Sequence, residues 1–204
     1  MKMTIRTSKT LLHWNYFLAL EQDLAHVGRY VEFAESNFKT YSIELAHLLL
    51  ATCSEVDVVL KGLCKKLQPE ARLKDINDYQ LVVNRSLRNL ASEHVWVDRQ
   101  GLDLYPWQHW DKDVNMSPLT NPHWWGSYND VKHQRSDYFK QANLSNVLNA
   151  MAGLLVVVYH YYKKEFMEED DKYSNDKEVT SRLRPYAKLL RLQEGYYREY
   201  VRYD

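Results

Sequence analysis

At 204 residues, with 27 Lys+Arg against 27 Asp+Glu, the chain is long enough to bury roughly 70% of its extended surface in a core of its own, and it is no bulk polycation. Its 45% hydrophobic and 26% charged residues exclude wholesale disorder. Six glycines and five prolines are too few for the turns of a sandwich or barrel, so the composition leans towards helix.

Met1 to Thr10 carries Lys2, Arg6 and Lys9 without the apolar stretch of a signal peptide. Leu11 to Ala34 is predicted as a helix, because Trp14, Phe17, Leu18, Leu24, Gly28 and Val31 keep a three-four spacing. A second helix is predicted from about Thr40 to Leu67. Its segment Leu45 to Cys53 is apolar nearly all round, as in the central helix of a bundle. Cys53 and Cys64 lie on this helix, about 16 Å of rise apart, beyond disulfide reach. They are expected reduced and buried, as in a cytoplasmic protein. Asp75 or Asn77 can cap a third helix running to about Leu90.

From His94 to Gly126 the texture changes, with five of the six tryptophans and three of the five prolines. Val95 to Tyr105 reads as a short hairpin about Gln100-Gly101. A 33-residue excursion of this kind is usually functional or folded on its own side chains. Helix is predicted again from His123 to Arg135, then as a long core helix from about Asp137 to Glu165. The apolar run inside it, Ala150 to Tyr159, is ten residues, against the ~20 a membrane span needs. Residues 166–178 are expected to be an acidic linker. Pro185 suits the first turn of a last helix, so 179–204 is expected to be a basic and aromatic helix.

The stretch Trp124 to Arg135 concentrates polar groups: Asn129, Lys132, His133 and Arg135. The first three share a face if helical. A histidine there can move a ribose proton while cations hold a phosphate. The plain alternative is a capped, solvated turn before the core helix. On the central helix, Glu44, His47, Glu55 and Asp57 interrupt an apolar surface. A charge in such a place needs a partner, which Arg29 on the first helix could supply. In the last segment, Arg184, Lys188, Arg191, Arg198 and Arg202 fall near helical spacing with Tyr196, Tyr197, Tyr200 and Tyr203 between them. Cations can seat phosphates and tyrosines can stack on bases, although such a run can equally be a solvated face. His94, His109, Asp111 and His123 share the aromatic stretch, but no spacing matches a zinc signature. No metal or cofactor is expected. Neither a phosphate-cradling glycine loop nor a nucleophile elbow is present.

The Asn129-to-His133 spacing, followed by a long helix and preceded by a helical pair, resembles the HEPN superfamily of small helical bundles over roughly residues 10 to 165. That family pairs an Arg with a His four to six residues later, often with a polar residue after the Arg. Here Tyr128 stands in the Arg place, and Arg135 lies beyond the His. A strict match occurs at Arg88, Asn89 and His94. The resemblance implies an all-α fold: a four- to five-helix bundle over residues 1–165, with the 94–126 stretch inserted. It also implies a metal-independent endoribonuclease of a toxin or phage-defence kind, acting by 2′-hydroxyl attack. His133 would be acid or base, Lys132 and Arg135 would hold phosphate with Asn129 beside them, and Glu55 or Asp57 would orient the pair. A cytoplasmic homodimer, with RNA and an antitoxin or other defence protein as partners and no membrane, belongs to the same picture. The alternative is a non-catalytic module of that fold binding a protein, nucleotide or RNA. A third reading is a structural bundle within a larger assembly.

Overall fold

Two long helices, α2 (Ile43–Leu67) and α6 (Leu144–Met167), form the axis of the molecule. The structure is a computed structural model and describes residues 10–110 and 119–197. Both helices leave the same end. The amides of Leu144 and Ser145 donate to the carbonyls of Thr40 and Phe38, at 2.9 and 3.1 Å. Further along, the Thr52 hydroxyl donates to the Met151 sulfur, and Lys66 meets Glu165. The matched positions climb together, so the helices are parallel. A parallel pair needs a connection that travels back along its whole length. Residues 68–143 are that crossover, which is why a chain otherwise built of helices carries a long aromatic excursion.

α6 is buried on every face from Ala150 to Tyr159. It is long and apolar enough to cross a membrane by length and composition, and 72% of its most apolar window is covered by the rest of the protein. α1 (Leu12–Val27) packs antiparallel against α2, burying Trp14, Phe17, Leu20 and Leu24. It stops at Val27, short of the expected Ala34. The chain folds back there so that buried Phe33 packs on Gly28, where an added Cβ would lie 3.2 Å from the ring. The Ser42 hydroxyl caps α2 by accepting from the Leu45 amide. Asp75 does the same for α3 (Ile76–Ser86).

The crossover continues through β1 (Val95–Val97) and β2 (Leu102–Leu104), paired antiparallel as expected. Gly101 holds the left-handed turn between them at φ 60°. The fold is therefore mostly helical with a small sheet, in the order β2-β1-β3, and is not purely all-α. α4 (His123–His133) and the four-residue α5 (Arg135–Tyr138) follow, broken at Gln134. The core helix starts only at Leu144, because Asn143 caps it by accepting from the Asn146 amide. Trp107 and Trp124 meet edge to face on α6. The Trp107 indole donates to the Gly153 carbonyl at 3.2 Å. A Cβ on Gly153 would lie 2.9 Å from the Trp124 ring, so only glycine lets both rings seat there.

The C-terminal expectations need correction. Residues 166–178 are no linker: a 3-10 turn and α7 (Asp176–Arg182) pack back on α6. The Arg182 guanidinium lies over the Phe166 ring and pairs with Glu169 at 2.7 Å. Nor do residues 183–197 form a helix. They run as an irregular strap whose β3 (Arg191–Leu192) pairs with β1. The reason is tertiary. Buried Glu21 on α1 accepts the amides of Lys188, Leu189 and Leu190 at 2.8 to 3.1 Å. A helix interior would have committed those amides to its own carbonyls.

Glu21→Ala removes one acceptor from three amides. At ~1–3 kcal/mol for each buried polar group left unsatisfied, partly offset by water, the loss is expected near ~3 kcal/mol. It should appear as a lower urea midpoint together with faster hydrogen exchange at Lys188, Leu189 and Leu190. An unchanged midpoint would contradict the strap's dependence on Glu21.

Candidate functional site

Where α6 leaves the core its side chains turn polar. His160 and Lys163, three residues apart, face an open cleft of about 720 Å³. The opposite wall comes from the end of α3 and the turn after it, through Arg85, Arg88 and Asn89. Glu93, just before β1, and Asp176, at the start of α7, complete it. The crossover and the C-terminal turn thus deliver their polar residues to the emerging end of the buried helix.

His160 and Glu93 form a dyad, with Nε2 2.6 Å from Oε1 and both side chains largely buried. The carboxylate fixes the ring, and Nδ1 makes no hydrogen bond to the described residues. Asp176 accepts from both the Lys163 ammonium and the Tyr159 hydroxyl. Burial, reinforced by the hydrogen bond to Asp176, holds the Tyr159 phenol far above its usual range. Burial and the neighbouring Glu93 carboxylate do the same for Tyr196, a lining residue. Both phenols are therefore donors here and not bases. Arg85 and Arg88 are exposed and have no carboxylate within ion-pair reach among the described residues. Asp176 is paired with the Lys163 ammonium and Glu93 is hydrogen-bonded to the His160 ring, while neither guanidinium group at the mouth has a carboxylate partner among the described residues.

The sequence-derived candidates fare unevenly. Arg88 and Asn89 line this cleft, but His94 does not. His94 stacks on Trp96 at 5.6 Å and meets Tyr105 edge-on, so the strict-spacing pair is split and α6 supplies the histidine instead. Asn129, Lys132 and His133 do share the last turns of α4, and Lys132 sits over the buried Tyr128 ring. Lys132 and His133 are solvent-exposed, and Arg135 lies beyond the helix break, exposed as well. The four line none of the clefts described here. Glu55 and Asp57 orient neither arginine–histidine pair: Glu55 binds His13 at 2.7 Å, and Asp57 accepts from the Tyr79 hydroxyl at 3.1 Å. Arg29 is not the partner of Glu55.

Among the described residues, the C-terminal cations form no stripe. Arg184 donates to the Ser181 carbonyl and stacks on Tyr186. The Lys188 amide is held by Glu21. Arg191 pairs with Asp98 at 2.9 Å. Arg198 and Arg202 lie outside the described residues. Of the histidine-rich set, His109 and His123 line a separate cleft of about 420 Å³ beside Asn146 and Asn149, and Asp111 lies outside the described residues.

The sequence reading missed Arg85, Glu93, His160, Lys163 and Asp176. The signal was thin: a polar pair three apart, ending an otherwise apolar run on the core helix. No family model matches the chain, and neither does any curated protein or solved structure.

The cysteines offer no nucleophile to this site. Burial pushes the Cys64 thiol up to about 12 and raises Cys53 well above the ordinary range, because a thiolate is disfavoured away from water. Both thiols therefore stay protonated at pH 8. A colourimetric disulfide reagent is expected to find no reactive thiol at that pH in the native chain and two after unfolding. Rapid native labelling would contradict their burial.

Proposed function

We propose that the chain is a metal-independent endoribonuclease whose site is the cleft between α6 and the end of α3, with His160 as base. One observation carries this reading: an imidazole oriented by Glu93 lies in the same cleft as two arginines without carboxylate partners. The arginines would hold the non-bridging phosphate oxygens, with bidentate geometry available to each guanidinium. His160 Nδ1 takes the proton of the ribose 2′-hydroxyl. The 2′-oxygen attacks phosphorus, the bond to the 5′-oxygen breaks, and water in the open cleft protonates the leaving oxygen. The products are a 2′,3′-cyclic phosphate and a 5′-hydroxyl end. Glu93 stabilises the imidazolium that forms.

The resemblance to the HEPN superfamily supports the same reading through Arg88 and Asn89, with the histidine drawn from α6 in place of His94. A homodimer, and a toxin or defence role with a protein partner, remain part of that proposal. The second reading, a non-catalytic RNA- or nucleotide-binding module, is favoured by the zero formal charge of the chain and by the carboxylates already engaging His160 and Lys163.

Cleavage of a single-stranded RNA by the purified chain is expected to proceed in EDTA. His160→Ala should lower it by ~100- to 10,000-fold, the usual contribution of a general base. Arg88→Ala should chiefly weaken substrate binding, and His133→Ala should leave the rate near wild type. His160→Gln, which keeps a polar partner for Glu93, guards against loss of fold. If His133→Ala abolishes cleavage and His160→Ala does not, the site is the α4 cluster. If the intact chain cleaves nothing but binds RNA through Arg85 and Arg88, the binding module is the correct reading.

A further inference from the structure

At its start α6 carries an asparagine at every third position: Asn143, Asn146 and Asn149. Asparagine is a poor residue for a helix interior, and local structure accounts only for the first two. Asn143 caps the helix, and the Asn146 side-chain nitrogen donates to the Gln141 carbonyl ahead of it at 2.7 Å. Asn149 donates at 2.9 Å to the Ser145 carbonyl, which the helix ladder already supplies with a backbone donor. A carbonyl can only accept, so in Asn146 and Asn149 alike the nitrogen faces the backbone and the side-chain oxygen is left over as an acceptor. Neither oxygen has a partner among the described residues, and both residues line the cleft of about 420 Å³ that they share with His109 and His123.

The cleft has two unlike ends. Lys39 marks one: the carbonyls on either side of it, from Phe38 and Thr40, accept the Ser145 and Leu144 amides, so it stands beside the first turn of α6. Lys39 is exposed and makes no ion pair among the described residues. Tyr105 and Pro106 mark the other end. The Pro106 carbonyl accepts the Trp124 indole at 2.9 Å, and that ring lies on Gly153, further along α6. The Tyr105 ring is 40% exposed. It is held by its hydroxyl, which donates to Asp103 at 3.1 Å, and by the edge contact with His94 at 5.3 Å. No aspartate or glutamate lines the cleft. The first amides of α6 are taken by Thr40, Phe38 and Asn143, so the helix end supplies no free donor. Lys39 and the exposed rings of His109 and His123 supply them instead.

We propose that this cleft binds a nucleotide whose base carries an amino group, with the phosphate at Lys39 and the base at the Tyr105 end. An ammonium and imidazole N–H groups are donors for phosphate oxygens. The fixed Tyr105 ring offers a face on which a base stacks. The amino group of adenine is a donor, and the Asn146 and Asn149 oxygens are acceptors awaiting one. The volume falls within the range of small-ligand sites. The chemistry is the same for a free nucleotide and for one unit of a single strand. Asn149 is ~16 Å along α6 from His160, and the site does not rest on the ribonuclease reading.

The test is calorimetric titration with AMP, adenosine and UMP of the intact chain and of its Arg85→Ala/Arg88→Ala variant, which lacks the free cations of the other cleft. In that variant AMP is expected to saturate one site with a dissociation constant below ~1 mM. Adding Lys39→Ala should weaken AMP by ~10- to 100-fold, the loss of one charge-assisted hydrogen bond, and leave adenosine unchanged. Asn149→Ala should cut the preference for AMP over UMP by about three- to tenfold, the loss of one neutral hydrogen bond. An oligoadenylate lacking 2′-hydroxyls separates the two sources. Binding tighter than AMP and weakened by Lys39→Ala marks a strand, and binding no tighter marks the free nucleotide. Absence of saturable AMP binding would overturn the proposal. So would an affinity indifferent to Lys39→Ala, or one lost in Arg85→Ala/Arg88→Ala alone, which would move the nucleotide to the His160 cleft.

Discussion

The parallel pairing of α2 and α6 governs everything else in this molecule. Antiparallel helices can be joined by a few residues, but parallel ones need a return path as long as the helices themselves. For a 24-residue α6 that is about 36 Å at 1.5 Å per residue. The chain spends α3, the hairpin, the tryptophan turn and α4 on that return: α3 packs on α2, and the tryptophan turn and α4 cover α6. Gly153 is where the covering is tightest, since the two rings that close over it leave no room for a methyl group. What looks in one dimension like an insertion into a bundle is the lid of the bundle's own core.

The same constraint makes the cleft. A helix buried all round has to emerge somewhere, and α6 emerges at His160 and Lys163. The elements that converge there carry Glu93, Asp176 and the two free arginines. Carboxylates are costly to bury alone; here Glu93 is hydrogen-bonded to the His160 ring and Asp176 is paired with Lys163, and the guanidinium groups at the rim are left to a ligand. Charge balance over the whole chain is no obstacle to local anion binding, because Arg85 and Arg88 stand at one mouth with no carboxylate paired to either among the described residues. The outward-facing α4 cluster has cations too, but among the described residues it lines none of the clefts described above and no carboxylate orients His133.

Legibility in the sequence followed the range of the interactions. Caps and turns are local, so Asp75 as the cap of α3 and Gly101 as the hinge of the hairpin could be read from a few neighbours. The strong apolar stripe gave α2 to within a few residues. The strap at 183–197 could not be read that way. Its amides are claimed by Glu21, more than 160 residues earlier, and Pro185 offers the same local signal at a helix start as in a loop. His160 was hidden for a related reason. It follows ten consecutive buried positions on α6, and its partner Glu93 is 67 residues away on another element. The matching of Arg88 to His94 by spacing failed because the hairpin turns His94 towards Trp96.

The account stands most directly on where a phosphodiester binds. Titrating the isotopically labelled chain with a short RNA analogue lacking the attacking 2′-hydroxyl, and following side-chain resonances, separates the two surfaces in a single experiment. The account predicts saturable shifts at the His160 ring and the Arg85 and Arg88 guanidinium groups, weakening with added salt as phosphate contacts do, while the His133 ring stays put. Shifts confined to His133, Lys132 and Arg135, with a silent His160, would contradict it.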